Sequence, residues 1–352
     1  MILTDDRTAP RPAGKTPTLT DSTYGSDDTT GLVWAYEFAP GRAGRSITSV
    51  EAAGKLSGQL PEDAHLWVHF SLSNSKSEQW LRDHLALPGA FYESVGENPS
   101  TRVEAVGDAL VAVMRDMPFF GPEAGSDASM MLCVDTRLMV SARTRQLRSV
   151  DRLRAAVRAG SVFNSPVELL AHLLRDQADV LMDIVREAAR HVDEIEDAVL
   201  DSSSSKGRAL LGTIRRRLVR LQRLLAPEPA ALFRLLNRPP QWLREAEVTD
   251  LRRSAEELSA AVADSSAVLE RVRILQDELS VTLDEATNRT LYILTILTAI
   301  VAPFEFISQL FGMGVGGLPF RDSPYGFLIV LSIILAVIGL GAVLVRGFLR
   351  RS

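Results

Sequence analysis

Three hydrophobic patterns succeed one another along the chain. Residues 1–30 are rich in Thr, Asp, Pro, Gly and Ser with few large apolar groups, and read as a disordered tail. Short apolar or alternating runs follow, at Leu32–Phe38, Leu66–Leu72, Arg102–Val106, Ala109–Met114, Met130–Val134 and Leu138–Ala142. Turn-forming segments such as FFGPEAGSD at 119–127 separate them, so they predict strands. Helical periodicity interleaves at Lys76–Leu85 and Val150–Ala159, which makes residues 31–160 an expected α/β or α+β domain.

From Ser165 the pattern is helical only. Ser165 can cap a helix whose first position is Pro166 and whose first turn carries Glu168; it should run to about Leu200, before the SSSSKG linker. Arg208–Leu225 predicts the next helix, and Pro227, Pro229, Pro239 and Pro240 punctuate the rest of a helical segment spanning 161–240. Between Pro240 and Pro303 there is neither glycine nor proline, room for one rod of roughly 93 Å. Ala255, Leu258, Val262, Leu269, Val272, Leu279 and Leu283 form a narrow heptad seam on it, interrupted by the polar Ser265 and Gln276. A stalk helix over 241–290 with such a seam packs either against copies of itself or against the preceding helices.

The third pattern is apolar throughout. Leu291–Phe311 holds no glycine and one charge, Glu305, and as a helix spans roughly 31 Å, enough for a bilayer core. Phe327–Val345 carries no charge and would span roughly 28 Å. These predict transmembrane helices at 291–311 and 327–345, joined by a loop at 312–326 and followed by a basic tail at 346–352. Residues 1–30 lack the basic-then-apolar pattern of a signal peptide, so the large N-terminal part is expected in the cytoplasm. Arg289 before the first span and Arg346, Arg350 and Arg351 after the second agree, since the loop between carries only Arg321 beside Asp322. Both termini are then cytoplasmic and the loop faces outside.

Composition removes other classes. A net charge of −5 offers no case for nucleic acid. The single cysteine, Cys133 in the apolar run SMMLCVD, excludes a disulfide framework and a multi-cysteine metal site, and reads as a buried thiol. There is no phosphate loop, nucleophile elbow, HExxH or ATP-site pattern, so no enzyme is expected. Two thin spans cannot enclose a pore alone, which calls for an oligomer.

A long charged helix entering a span, Pro303 and Phe306 within it, then Phe311-Gly312-Met313, a short outside loop, a second span and a basic tail resemble the CorA superfamily of divalent cation channels and transporters. The loop VGGLP at 315–319, HLWVHFSLS at 65–73 and RLRAAVRAG at 152–160 are similar to its ZntB zinc-transporter branch. The resemblance covers nearly all of the chain beyond residue 30. It implies a funnel-shaped homopentamer in the inner membrane, with the first span lining the pore. It also implies transport of divalent cations, zinc foremost, with no cofactor.

The family signature is Gly-Met-Asn, whose asparagine offers a ring of amide oxygens at the outer mouth; here Gly312, Met313 and Gly314 stand there. Gly314 leaves backbone carbonyls and Met313, and carbonyl rings do coordinate cations; it also permits a sharp turn. Where the family usually has threonine two residues after the proline, this chain has Glu305. Five such carboxylates around one axis compete with one another, would attract a divalent cation and would yield shared protons to it. The alternative is a snorkelling carboxylate paired with Arg321. Helical steps back from Glu305 give a pore stripe of Ala302, Thr298, Leu294 or Thr295, Leu291 and Asn288. Its hydroxyls and Asn288 suit a hydrated ion. Leu291 and Leu294 either form a dewetting gate or pack on the second span.

In the soluble part, His191, Asp193, Glu194 and Asp197 are the densest group of metal-ligand types. They read either as a sensor site shared across a subunit boundary or as a solvated acidic face. His65 and His69 share a face of a predicted strand but have no third ligand nearby. The expected function is proton-linked zinc uptake. A magnesium or cobalt channel and a non-transporting sensor or scaffold are the alternatives.

Overall fold

The computed structural model describes residues 30–95, 100–116, 128–200, 204–312 and 324–349. The expected disordered tail lies almost entirely outside them. The chain divides into two compact units, Met1–Glu194 with Gly212–Arg271, and Ile195–Leu211 with Val272–Ser352.

A mixed seven-stranded sheet forms the heart of the first unit. Its strands are β1 (Leu32–Phe38), β2 (Arg45–Ile47), β3 (His65–Ser71), β4 (Arg102–Val106), β5 (Ala109–Asp116), β6 (Ala128–Val134) and β7 (Leu138–Arg143), in the order β2-β1-β3-β7-β6-β5-β4. Every neighbouring pair is antiparallel except β3 with β7, where Val68 faces Val140 in parallel register. β3, β6 and β7 are buried along both faces, as their unbroken apolar character requires.

On one face Ala35, Val68, Phe70, Val111, Met131 and Val140 pack with Ala52 of α1 (Ser49–Gly54), Trp80 and Leu81 of α2 (Lys76–His84) and Phe91 of α3 (Gly89–Glu93). Burying these side chains contributes about 1.5–3 kcal/mol each for the larger ones. Helix α1 begins at Thr48, which forms a reciprocal capping box with Glu51. Gly31 enters β1 at φ 83°, and a Cβ there would meet Ser77 Oγ at 2.0 Å, so only glycine fits.

The opposite face is aromatic and polar. Trp34, Trp67 and His69 pack together, and α4 (Arg148–Arg158) lays the Arg154 guanidinium 4.3 Å over the Trp34 ring. Helix α5 (Pro166–Leu200) starts as expected: Ser165 Oγ accepts from Glu168 N at 3.2 Å, with Pro166 in the first turn. The Glu168 carboxylate reaches one residue further back than a standard box, to Asn164 N at 2.7 Å.

Helices α6 (Ser204–Leu225), α7 (Pro227–Leu236) and α8 (Glu245–Gly312) follow. Pro227 and Pro229, read above as punctuation, instead occupy the first turn of α7, where a missing N–H costs nothing. The narrow seam of α8 finds its partners within the chain. Leu251, Ala255, Leu258 and Ala261 are buried, Ser266 Oγ accepts from Gln222 of α6 at 2.6 Å, and Arg271 pairs with Asp193 of α5 at 2.6 Å. Ser265 is fully buried in that seam and Gln276 is half-buried, so the interruptions sit inside the packing. In the second unit Gly207 lets α6 approach α5 closely, since a Cβ there would sit 3.2 Å from Ile195 Cγ2. Helix α8 is a single element of 68 residues that passes through Pro303, and α9 (Gly326–Leu349) follows.

Where α5 meets the sheet, buried acids gather. Glu228 of α7 accepts from Arg115 N and from Gln177 Nε2, the latter at 2.6 Å, and burial pushes its carboxyl well above the usual range. Asp176 lies 3.6 Å from His172, and burial pushes its carboxyl up to about 7 while lowering the imidazole. Both groups are driven towards neutral forms, so the contact is a weak ion pair at best. A carboxyl that keeps its proton in the fold stabilises it below its unfolded value of 3.8, and that stability is lost as pH rises towards 7. Asp176→Asn should therefore flatten this part of the melting-temperature profile and gain on the wild type above pH 7. Melts of the detergent-solubilised chain from pH 4 to 8 check it, and parallel profiles for the two proteins would refute it.

Candidate functional site

Asn288, Leu291, Leu294, Thr298, Ala302 and Glu305 all lie on α8, at spacings that share one side of a helix running past Pro303. In the single chain it is bare: Leu291 is 55% and Leu294 56% exposed. Other described positions of the cylinder are bare too, with Ile293 at 58% and Phe306 at 66%, while Ile296 and Pro303 are half-covered. Water does not tolerate an apolar surface of this extent, so the exposed end of α8 calls for cover by lipid or by further protein. Among the described residues α8 is the one helix long and apolar enough to cross a membrane; in α9 the apolar stretch found is the shorter Gly326–Ala336.

The hydroxyls of the stripe have their protons committed. Thr298 Oγ1 donates to Leu294 O at 2.9 Å, and Thr295 Oγ1 to Leu291 O at 2.8 Å. Their oxygens keep lone pairs, so the face offers acceptors rather than donors, which suits a cation. Glu305 is exposed, two residues beyond Pro303. Gly312 closes α8 with open space around it; Met313, Gly314 and Arg321 lie outside the described residues.

The acidic run on α5 is partly occupied by basic groups. Asp193 takes Arg271 at 2.6 Å, and Glu194 takes His191 Nδ1 at 3.1 Å and Arg190 at 3.9 Å. Asp197 is exposed one turn further on. No group of three His, Cys, Asp or Glu side chains able to hold a metal ion occurs among the described residues. A metal at His191, Asp193, Glu194 or Asp197 would thus need ligands from elsewhere and the displacement of Arg271.

His65 and His69 share a face of β3 as expected, and both belong to the core. The His69 Nε2 accepts from Arg143 Nε at 2.8 Å, which leaves the proton on Nδ1 to donate to Ser141 Oγ at 2.8 Å. Ser141 Oγ also accepts from Trp67 Nε1 at 2.8 Å and donates to Val68 O at 3.4 Å, so the network closes. Burial lowers His69 well below its usual value and His65 to about 4. His65 stacks on Phe38 with ring centroids 4.9 Å apart. Both nitrogens of His69 are in use, and His65 is buried against Phe38, in no group of three metal-ligating side chains among the described residues. Sequence reasoning missed Glu228, whose place in a Pro-rich segment gave no sign of burial.

Comparison with known proteins agrees with the geometry. The family described as CorA-like Mg2+ transporter protein matches residues 62–348. The divalent cation transporter CmaX of Pseudomonas aeruginosa is 29% identical over 311 residues, 86% of this chain and 92% of that protein. The zinc transport protein ZntB of Pectobacterium carotovorum is 23% identical over 312 residues, covering 88% and 93%. The solved structure of full-length CmaX superposes with a TM-score of 0.76 at 26% identity, over 92% of this chain and 99% of that one. The sheet, its helices and the long α8 therefore have a known counterpart.

Cys133, buried between β5 and β7, offers a separate check on the core. Burial pushes its thiol up to about 12. Iodoacetamide at pH 8 should leave it unmodified in the folded chain and alkylate it in urea, as read by mass spectrometry; rapid labelling of the folded protein would contradict this packing.

Proposed function

This chain belongs to the CorA-like Mg2+ transporter family, whose members move divalent cations and are not enzymes, and we propose that it carries zinc across the inner membrane as a homopentamer. Residues 291–311 form the first span and line the pore. Residues 312–326 form the outer loop, 327–345 the second span and 346–352 a cytoplasmic tail. The α/β domain at 31–160, the helices of 161–240 and the stalk at 241–290 stand in the cytoplasm. Zinc is favoured by the ZntB relative and by the loop VGGLP.

The observation that carries this reading is the bare apolar end of α8 with one carboxylate in it. Five copies around an axis would cover that surface with each other, with α9 and with lipid. The outer faces suit acyl chains, and the stripe from Asn288 to Glu305 turns its acceptors inward. A carboxylate in an otherwise apolar span costs about 2.5–3.5 kcal/mol on insertion scales, and it persists where it faces a polar interior. Here it takes the work that the missing amide ring at Gly314 would do. A ring of Glu305 carboxylates draws a divalent cation in, and protons held among them leave as it enters. Proton coupling follows from that exchange.

Liposomes holding the purified protein should take up zinc, and faster with an inward proton gradient. Glu305→Ala should cut the flux roughly tenfold or more, a loss of about 1.4 kcal/mol or more at the site. Undiminished flux in that variant would remove the glutamate from the mechanism. Competition by magnesium or cobalt stronger than by zinc would move the protein to the magnesium or cobalt channels. An intact pentamer with no flux above empty liposomes would make it a sensor or scaffold.

A further inference from the structure

Helix α6 contains no acidic residue along Ser204–Leu225. Its buried side is made by Leu211, Ile214, Leu218 and Leu225. The side turned away carries Gly212, Arg216, Val219 and Arg223, at steps of four, three and four, with Val219 45% exposed. That spacing is a helix-packing seam, and it faces outward. Arg215 and Arg220 flank it.

Helix α8 carries a second seam of the same period opposite its buried side. Glu256, Ala260, Ala263, Ala267 and Glu270 follow at steps of four, three, four and three, and all are exposed. Three alanines sit at the centre with a carboxylate at each end. The two outward seams complement each other in shape and charge. Small side chains allow the backbones to approach, arginine stems lie over alanines, and the guanidinium heads reach the glutamates. Within one chain they cannot meet, because α6 and α8 already contact through their inner sides at Gln222 and Ser266.

We propose that the cationic outward seam of α6 docks on the acidic outward seam of α8 in a second copy of this chain. The two seams differ, so the contact is heterologous and repeats around a ring, and it rests on the homopentamer proposed above. A lipid surface would answer the arginines but leave the matching acidic seam unexplained.

The test uses the full chain in detergent, with assembly read by native mass spectrometry. Arg216→Glu with Arg223→Glu, and separately Glu256→Arg with Glu270→Arg, should each lower the apparent association constant about tenfold or more. All four substitutions together should restore it. Raising NaCl from 0.1 to 1 M, which shortens the Debye length from about 10 to about 3 Å, should weaken wild-type assembly in the same direction. Circular dichroism keeps the variants interpretable, since all four positions are exposed and the fold should survive. Val219→Cys with Ala263→Cys should form disulfide-linked multimers even where the spans alone hold copies together. A wild type that assembles, with charge variants assembling equally well and no cross-link, overturns this interface while leaving the oligomer intact. A monomeric wild type overturns the oligomer itself. Loss of binding to phosphatidylserine vesicles in the arginine variants, with assembly unchanged, reassigns the face to lipid and also overturns the proposal.

Discussion

Helix α8 has to satisfy its own backbone hydrogen bonds from a soluble core to a bare apolar end, and much else in the structure follows from that. In hydrocarbon an unpaired N–H or C=O costs several kcal/mol, so a spanning segment tolerates no irregular backbone. The chain responds by excluding glycine and proline between Pro240 and Pro303. It also folds its threonine hydroxyls back onto carbonyls, at Thr290, Thr295 and Thr298. Pro303 is the one interior departure: it lacks an N–H, so the carbonyl of Ala299 loses its usual donor two residues before Glu305. The site with the costliest side chain therefore lies beside the one weakened turn.

The same helix shows where sequence patterns were legible. A period of three and four residues marked its seam, and Ala255, Leu258, Val272 and Leu279 are buried as that pattern requires. Val262, Leu269 and Leu283 are only half-covered, so burial along the seam is uneven. The six longer strands of the sheet were legible for a similar reason, each being an apolar or alternating run between turns. β2 was not, since a three-residue edge strand with two exposed positions carries no period to detect. Nor was the order of the sheet: the parallel pairing of β3 with β7 is a tertiary choice that neither strand records.

Site residues divide along another line. Two groups with unusual chemistry in the first unit are used up by the fold. His69 is held by Arg143 and Ser141, and Glu228 by Arg115 and Gln177. From sequence alone a histidine pair on a strand looks like half a metal site; in the sheet it is a core element, with the His69 nitrogens committed and His65 stacked on Phe38. The acids of α5 are intermediate, since Asp193 and Glu194 face basic partners while remaining at the surface, where such pairs contribute about 0.2–1 kcal/mol. On α8, among the described residues, the acceptors Thr295, Thr298 and Glu305 stand on an exposed apolar end.

That contrast sharpens the exchange between Gly314 and Glu305. An amide ring coordinates a hydrated ion by neutral dipoles, and it needs no proton bookkeeping. A carboxylate ring binds a divalent ion more strongly, but five like charges crowded in a narrow apolar tube share protons that must leave as the ion enters. Replacing the first device by the second therefore changes more than where the ion rests. In the proposed pentamer it would tie occupancy by the metal to the number of protons on the ring, and so make flux depend on pH. The committed hydroxyl protons of Thr295 and Thr298 fit that proposal, since their oxygens would offer only lone pairs to a cation leaving such a ring.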